Sequence, residues 1–413
     1  MDESAVVTNV ATILAKDLLL DRNLKFRPIP YPVQQFWNFL EDNDEGMDYF
    51  VYNMLRKRKV RTCRNGRTSK VPLDSESTEG SRSMPDTTIT PVPLVKSQTQ
   101  KLEVNLRISQ LLPPKDFEGN FHMKKGTFNA LLEVLSPLMK NQLREIDNSL
   151  ISKDTFLSLA LWKLSTSQHF EEISQRFKIP AKVCHQISGN FCGLISSFIN
   201  TFVSWPNMQH IIGLTTYKQT QMLGAIGTKH LDVFLESEDD EVDVILQLVC
   251  TSDLIIIDCY LELASKYSCH NSPILKKLAS TSEPLPNGCY LVGDSKFPLM
   301  SSLITPYSDA KDQRKIQFNQ YIEMQTKSVQ NTITQMMHRF QSLYSLEAKD
   351  LQEMKKTIET ICGLYNFCRR FNDNCIPKLS ESGVQEVKLP MKGDESNPNG
   401  IRRREQLLEI ICP

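Results

Sequence analysis

Two β-branched runs separated by three residues, ILQLVC at 245–250 and LIIIDCYLEL at 254–263, constrain this chain more than any other stretch. Thr251, Ser252 and Asp253 between them are turn formers, so the runs predict neighbouring antiparallel strands. Residues 222–226 (MLGAI) read as a first strand, and the acidic stretch 236–243 as a solvated hairpin loop. A helix around 274–278 leads to another strand, Tyr290, Leu291 and Val292, which ends in Gly293 and Asp294. Pro298 then opens a stretch of helical spacing, so Asp294 is expected in a strand-turn-helix corner. Long helical patterns at 318–346 and 351–371 complete a mixed α/β region, a sheet flanked by helices.

The preceding region follows a different period. Phe128, Leu131, Leu132, Leu135, Leu138 and Met139 share one helical face, and residues 156–164 are apolar nearly all round, which predicts a central helix capped by Ser152 or Asp154. Phe170, Ile173 and Phe177 face inward on a short helix, and Lys178-Ile179-Pro180 breaks it. Val183 and Ile187 restart the apolar face on a second helix, with Pro180 in its first turn. Two helices about such a break predict either a helix-turn-helix or a plain hairpin in a packed bundle. In the first case Lys182, His185 and Gln186 are exposed on the second helix, where they suit phosphates and base edges. A helix over 191–202 and a turn at 204–206 close this unit.

The chain divides accordingly. Residues 1–61 read as short amphipathic helices ending in Arg56, Lys57, Arg58, Lys59 and Arg61, a nuclear-import signal, a phosphate contact or a solvated helix end. Residues 62–104 form a Ser/Thr/Pro-rich linker without enough apolar surface to fold. A helical domain spans 105–215, the sheet domain 216–376, and a polar tail with a last helix at 402–411 covers 377–413.

With 48 Lys and Arg against 48 Asp and Glu, no global field draws the molecule to nucleic acid, so any such contact must be local. Eleven scattered cysteines without a CxxC fit reduced thiols of a nuclear or cytosolic protein. The opening MDESAVVTNV lacks the features of a signal peptide, and no apolar run is long enough for a bilayer, so no membrane partner is expected.

Several blocks, in order, resemble the PIF/Harbinger transposases and the nuclease-like proteins derived from them. GAIGTKHL at 224–231 is similar to the family's GAIDGTHI, SCHNSP at 268–273 to GSxHDS, and GDSKFPLMSSLITPY at 293–307 to GDSGYPLxPWLMTPY. VQNTITQMMHRF at 329–340 is similar to VERAFGxLKxRF, and TICGLYNFC at 360–368 to AxxxLHNxC. The helical unit before them resembles the family's helix-turn-helix, and the likeness covers residues 110–413.

The resemblance implies an RNase-H-like fold in which three carboxylates hold two divalent cations for phosphodiester attack. Gly227 stands where the family has its first catalytic aspartate, Gln330 where it has its glutamate, and Asn271 where its HD block has aspartate; Asp294 alone is retained as a metal ligand. Two cations lacking anionic groups between and around them repel strongly. Asp232 falls on the strand face opposite Gly227, and Glu323 lies too far along its helix from Gln330 to substitute. His230 and His270, without zinc-type spacing, read as core or turn residues.

The expectation is therefore a domesticated Harbinger-type protein of the nucleus, or of nucleus and cytoplasm, without cofactor or nuclease activity. It would bind DNA or chromatin, or pair with a Myb-like partner. The alternatives are an endonuclease dependent on Mg²⁺ or Mn²⁺ that uses Asp294, and a protein-interaction module that makes no DNA contact.

Overall fold

The computed structural model describes residues 114–412 apart from 147–150, 207–210, 212–220, 238–239, 281–284, 286–287 and 378–394. The N-terminal helices, the basic run Arg56 to Arg61, the linker and most of the polar tail lie outside the described residues.

The helical region begins with α1 (Pro114–Phe121), α2 (Lys125–Leu135) and α3 (Met139–Glu145). Next come α4 (Lys153–Ser165), α5 (Phe170–Phe177), α6 (Ala181–Ser196) and the short α7 (Ile199–Phe202). Ser152 caps α4 by accepting the Thr155 N–H at 3.1 Å. Phe156, Leu159, Leu161 and Trp162 are all buried, so α4 is central as its sequence required. Lys178 ends α5 in the left-handed conformation at φ 57°, and Pro180 is the N-cap of α6, one position before the first turn expected for it. No break separates 183–187 from 191: α6 is continuous, and the chain turns only at α7.

The sheet domain comprises β1 (Met222–Leu235), β2 (Asp240–Thr251), β3 (Ile256–Leu263), α8 (Pro273–Ala279), β4 (Tyr290–Val292) and β5 (Leu303–Ile304). It continues with α9 (Gln313–Arg339), β6 (Leu346–Ala348), α10 (Leu351–Arg370) and α11 (Pro398–Ile411). Strand order is β3-β2-β1-β4-β5, with β6 also on β1. The first three strands are antiparallel; β4, β5 and β6 add in parallel. This is an RNase-H-like mixed sheet. Val329, Ile333 and Met336 of α9 and Ile358, Ile361 and Cys362 of α10 are buried on the helical side of the core. A second cluster, including Ile226, Val249, Ile274, Leu278, Leu291 and Phe297, packs α8 beneath the sheet. Gly224 is required at the crossing of β1 and β2, because a Cβ there would lie 2.1 Å from the Cys250 carbonyl oxygen.

Several boundaries differ from the sequence reading. The first strand runs on to Leu235, and Asp240 to Asp243 pair within β2 instead of looping out. The helix expected over 318–346 stops at Arg339, whose side chain turns inward; a 3₁₀ turn and β6 follow. No helix opens at Pro298. Met300 and Leu303 exchange backbone hydrogen bonds of 2.8 and 3.2 Å, and Gly293 N–H donates to the Ile304 carbonyl at 3.0 Å, so the chain reverses into β5. Asp294 therefore occupies a strand-turn-strand corner.

Two buried clasps hold these parts together. Asn366 on α10 accepts the Ile256 N–H at 2.9 Å and donates to the carbonyls of Ile256 (2.7 Å) and Phe202 (2.9 Å). At the end of α9, Arg339 pairs with Asp373 at 3.4 Å, both fully buried, and donates to the His122 carbonyl. Asp373 also accepts the backbone N–H groups of Lys124 and Cys375 at 2.8 and 2.9 Å.

Candidate functional site

The corner at the end of β4 is built by strand register. Ala225 of β1 pairs with Val292 of β4, the last pair of that ladder, and Gly227 and Asp294 each lie two residues beyond it. From α9, Val329 and Gln330 reach over: a Cβ on Gly227 would lie 2.9 Å from Val329 Cγ1 and 3.8 Å from Gln330 Nε2. Positions 227 and 330 thus lie side by side, Asp294 follows the end of the neighbouring strand, and of the three residues only Asp294 is acidic.

Asp294 is half-buried, and its Oδ1 accepts the Lys296 N–H at 2.9 Å, which shapes the turn that follows. Its charge is felt by two neighbours. Burial, then Cys269, then Asp294 raise the Tyr267 hydroxyl above its usual range, and burial with help from Asp294 does the same to the Cys269 thiol. Tyr267 in turn donates to Gln247 Oε1 at 2.8 Å, and Gln247 Nε2 donates to Ser272 Oγ at 2.8 Å, a buried polar chain beneath the corner. Asn271 is exposed at the 3₁₀ turn beside this chain, its amide 3.5 Å from the Lys266 carbonyl.

Neither of the two carboxylates considered as substitutes is placed for the role. Asp232 is exposed and pairs in register with Asp243, on the other face of a continuous β1. Glu323 is exposed and lies 3.9 Å from Lys327, its neighbour one turn on. His230 bonds Asp243 through Nδ1 at 2.9 Å, and its Nε2 is buried without a hydrogen-bond partner. His270 has no described side-chain environment. Among the described residues, no three His, Cys, Asp or Glu side chains converge as a metal site. A residue without a side chain, a neutral amide and one aspartate do not fit two divalent cations, which need anionic oxygens around them.

The helix pair offers a second surface. Lys182, His185 and Gln186 are exposed on α6 as expected. His185 also packs against Phe170, with ring centroids 4.9 Å apart and the planes tilted by 58°, and its Nε2 lies 4.0 Å from Glu353 of α10. His169 lies 3.6 Å from Glu347 of β6. Burial lowers the Lys163 ammonium in the same cleft, against the pull of Glu347, Glu171 and Glu172. A phosphate approaching His185 would meet carboxylates as well as cations.

A further carboxylate, Asp258, lies on β3. Burial on β3 pushes its carboxyl up to about 6, opposed by Lys277. Its signal in the sequence is an acid directly after three isoleucines in LIIIDCYLEL, where Glu262 is the second acid. Among the described residues, no helix is long and apolar enough to cross a membrane.

Comparison with known proteins places a family on part of this chain. Residues 243–366 match the model described as DDE superfamily endonuclease, a stretch that holds Asn271, Asp294 and Gln330 and begins beyond Gly227. No curated protein matches the chain, and no solved structure does.

Proposed function

From a DDE superfamily endonuclease domain at residues 243–366, we propose a Harbinger-type, transposase-derived nuclear factor that has lost phosphodiester chemistry and acts by binding. The observation that carries this reading is the corner itself: Gly227 and Gln330 stand beside one another, and Gly227 and Asp294 each lie two residues past the last β1–β4 pair, so one acidic residue remains among the three. Asp294 remains as a turn residue, holding the Lys296 N–H.

DNA or chromatin is the proposed ligand, contacted by Lys182 and Gln186 of α6 and by the basic run Arg56, Lys57, Arg58, Lys59 and Arg61. A protein partner, Myb-like as the resemblance suggests, is the competing target. Two measurements on the full chain decide between these readings. Supercoiled DNA incubated with Mg²⁺ or Mn²⁺ is expected to stay intact; nicking that vanishes in Asp294→Ala would restore the endonuclease reading. DNA affinity is expected to fall with salt, and Lys182→Ala to flatten the log-log slope by about 0.9 if one phosphate contact is lost. An affinity indifferent to salt and to both basic sites would leave the protein-interaction module.

A further inference from the structure

Three sulfur atoms meet between the sheet and the two long helices. Cys362 Sγ on α10 lies 3.7 Å from Cys259 Sγ on β3 and 3.9 Å from Met336 Sδ on α9. Cys362 and Met336 are fully buried, whereas Cys259 is only partly covered, because β3 is an edge strand of the sheet. The Cys362 S–H is directed at the Cys259 sulfur, and this bond, ahead of burial, holds the Cys362 thiol well above its usual range. The two sulfurs are therefore unequal. Cys362 is the buried donor of the pair, and Cys259 is the acceptor on the partly covered edge strand. Cys250, one strand further in, is fully buried and pushed up to about 12 by burial, the condition of an inert core thiol.

We propose that Cys259 and Cys362 are a redox pair, with Cys259 the site of peroxide modification and Cys362 its resolving thiol. The Cys259 thiolate attacks a hydroperoxide: an S–O bond forms, the O–O bond breaks, and the released alkoxide or hydroxide takes up a proton. Cys362 sulfur then attacks the sulfenic sulfur. An S–S bond forms, the S–O bond breaks, and the departing hydroxide leaves as water with the Cys362 proton. Two electrons pass from the two sulfurs to the peroxide.

The sulfurs must close from 3.7 Å to a bonding distance of about 2.0 Å. The approach falls to β3, an edge strand whose register against β2 shifts between Val249 and Cys250. Cys362 and Asn366 lie one helical turn apart on α10, and Asn366 already grips Ile256 at the start of β3. Oxidation would fasten the edge strand at a second point.

The test uses the full reduced chain, treated with hydrogen peroxide, alkylated and mapped by mass spectrometry without reduction. The wild-type chain is expected to lose the mass of two hydrogens, to yield a peptide pair joining Cys259 to Cys362, and to recover both thiols on reduction. Cys259→Ser should abolish the link, and Cys269→Ser, which alters another half-buried thiol, should keep it. Cys259 found as sulfinic acid without a link, both thiols unmodified after peroxide, or a link to another cysteine would each overturn the proposal. The wild-type map carries the decision, so a variant that misfolds does not obscure it.

Discussion

Rebuilding the missing charges tests whether the corner is a former metal site. The perturbation is Gly227→Asp with Gln330→Glu, combined with Val329→Ala because a Cβ at 227 would meet Val329 Cγ1 at 2.9 Å. A glutamate oxygen in the place of Gln330 Nε2 would lie 3.8 Å from the Cβ of residue 227, which brings the two new carboxylates close together. Two charges about 4 Å apart repel by about 4 kcal/mol at an effective dielectric near 20. Gln330 is only half-buried, so solvent reduces this to about 2 kcal/mol. The metal-free triple variant should thus lose about 2 kcal/mol relative to Val329→Ala, a drop in Tm on the order of 5 °C for a domain of this size. Mn²⁺ at about 100 times its Kd would return about 2.7 kcal/mol, enough to offset that loss. Calorimetry with and without Mn²⁺ reads both effects. The wild-type chain should show no metal-specific rise. A folded triple variant that ignores Mn²⁺ would refute the convergence of the three positions; a wild-type rise lost in Asp294→Ala would refute the claim that the present donors do not fit a cation.

Other perturbations probe the frame and its titrating groups. Asn366→Leu removes the side-chain partner of the Ile256 N–H and carbonyl, while the Phe202 carbonyl keeps Arg370 at 3.1 Å; at about 1–3 kcal/mol for each orphaned group, urea unfolding should shift and Ile256 amide exchange should accelerate. Asp373→Ala strands the buried Arg339 and two backbone N–H groups, with an expected loss of about 3–5 kcal/mol in the same assay. For Asp258 the folded pKa of about 6 lies above the ordinary 3.8, so the folded state binds the extra proton between these values, and stability falls as pH rises through 6. Asp258→Asn should raise Tm at pH 7.5, by up to about 3 kcal/mol in stability, and the advantage should vanish by pH 4. His122, lowered by burial, works the other way: its stability is present above pH 6.5 and declines as pH falls below it, but it is common to both proteins and cancels in the difference.

What the sequence disclosed depended on whether a pattern was local. The β2–β3 hairpin was legible because both apolar runs and their turn are contiguous. The length of β1 was hidden by Thr228, Lys229 and His230, which interrupt the apolar run, although Leu231, Val233 and Leu235 keep the alternation and are buried. β6 had no pattern to read, since its three residues are strand only through bonds to β1. At Pro298 a helical spacing misled: Phe297 and Leu299 are buried around a tight reversal, and backbone bonds to β4 decide the conformation. In the candidate site, Asp294 was legible from the end of its strand. The proximity of Gly227 to Gln330 was not, for a glycine and an amide carry no chemical signal; only the resemblance of the surrounding blocks drew attention to them. Asn366 could have been suspected as an amide inside the apolar run GLYNFC.

Helix α10 has obligations on two sides. It receives Ser196 Oγ on Glu359 and donates Thr360 Oγ1 to the Cys192 carbonyl toward the helical region, while Asn366 and Cys362 engage β3. A boundary drawn between residues 215 and 216 therefore cuts across one packing unit. Either half expressed alone would present a face of α10, or the face that α10 covers, to water. Deletion fragments separated there are poor tools for assigning a binding activity to one half, because stickiness from the exposed core would mimic it. Point substitutions on the intact chain avoid that confusion, and heat should melt the helical region and the sheet in a single transition.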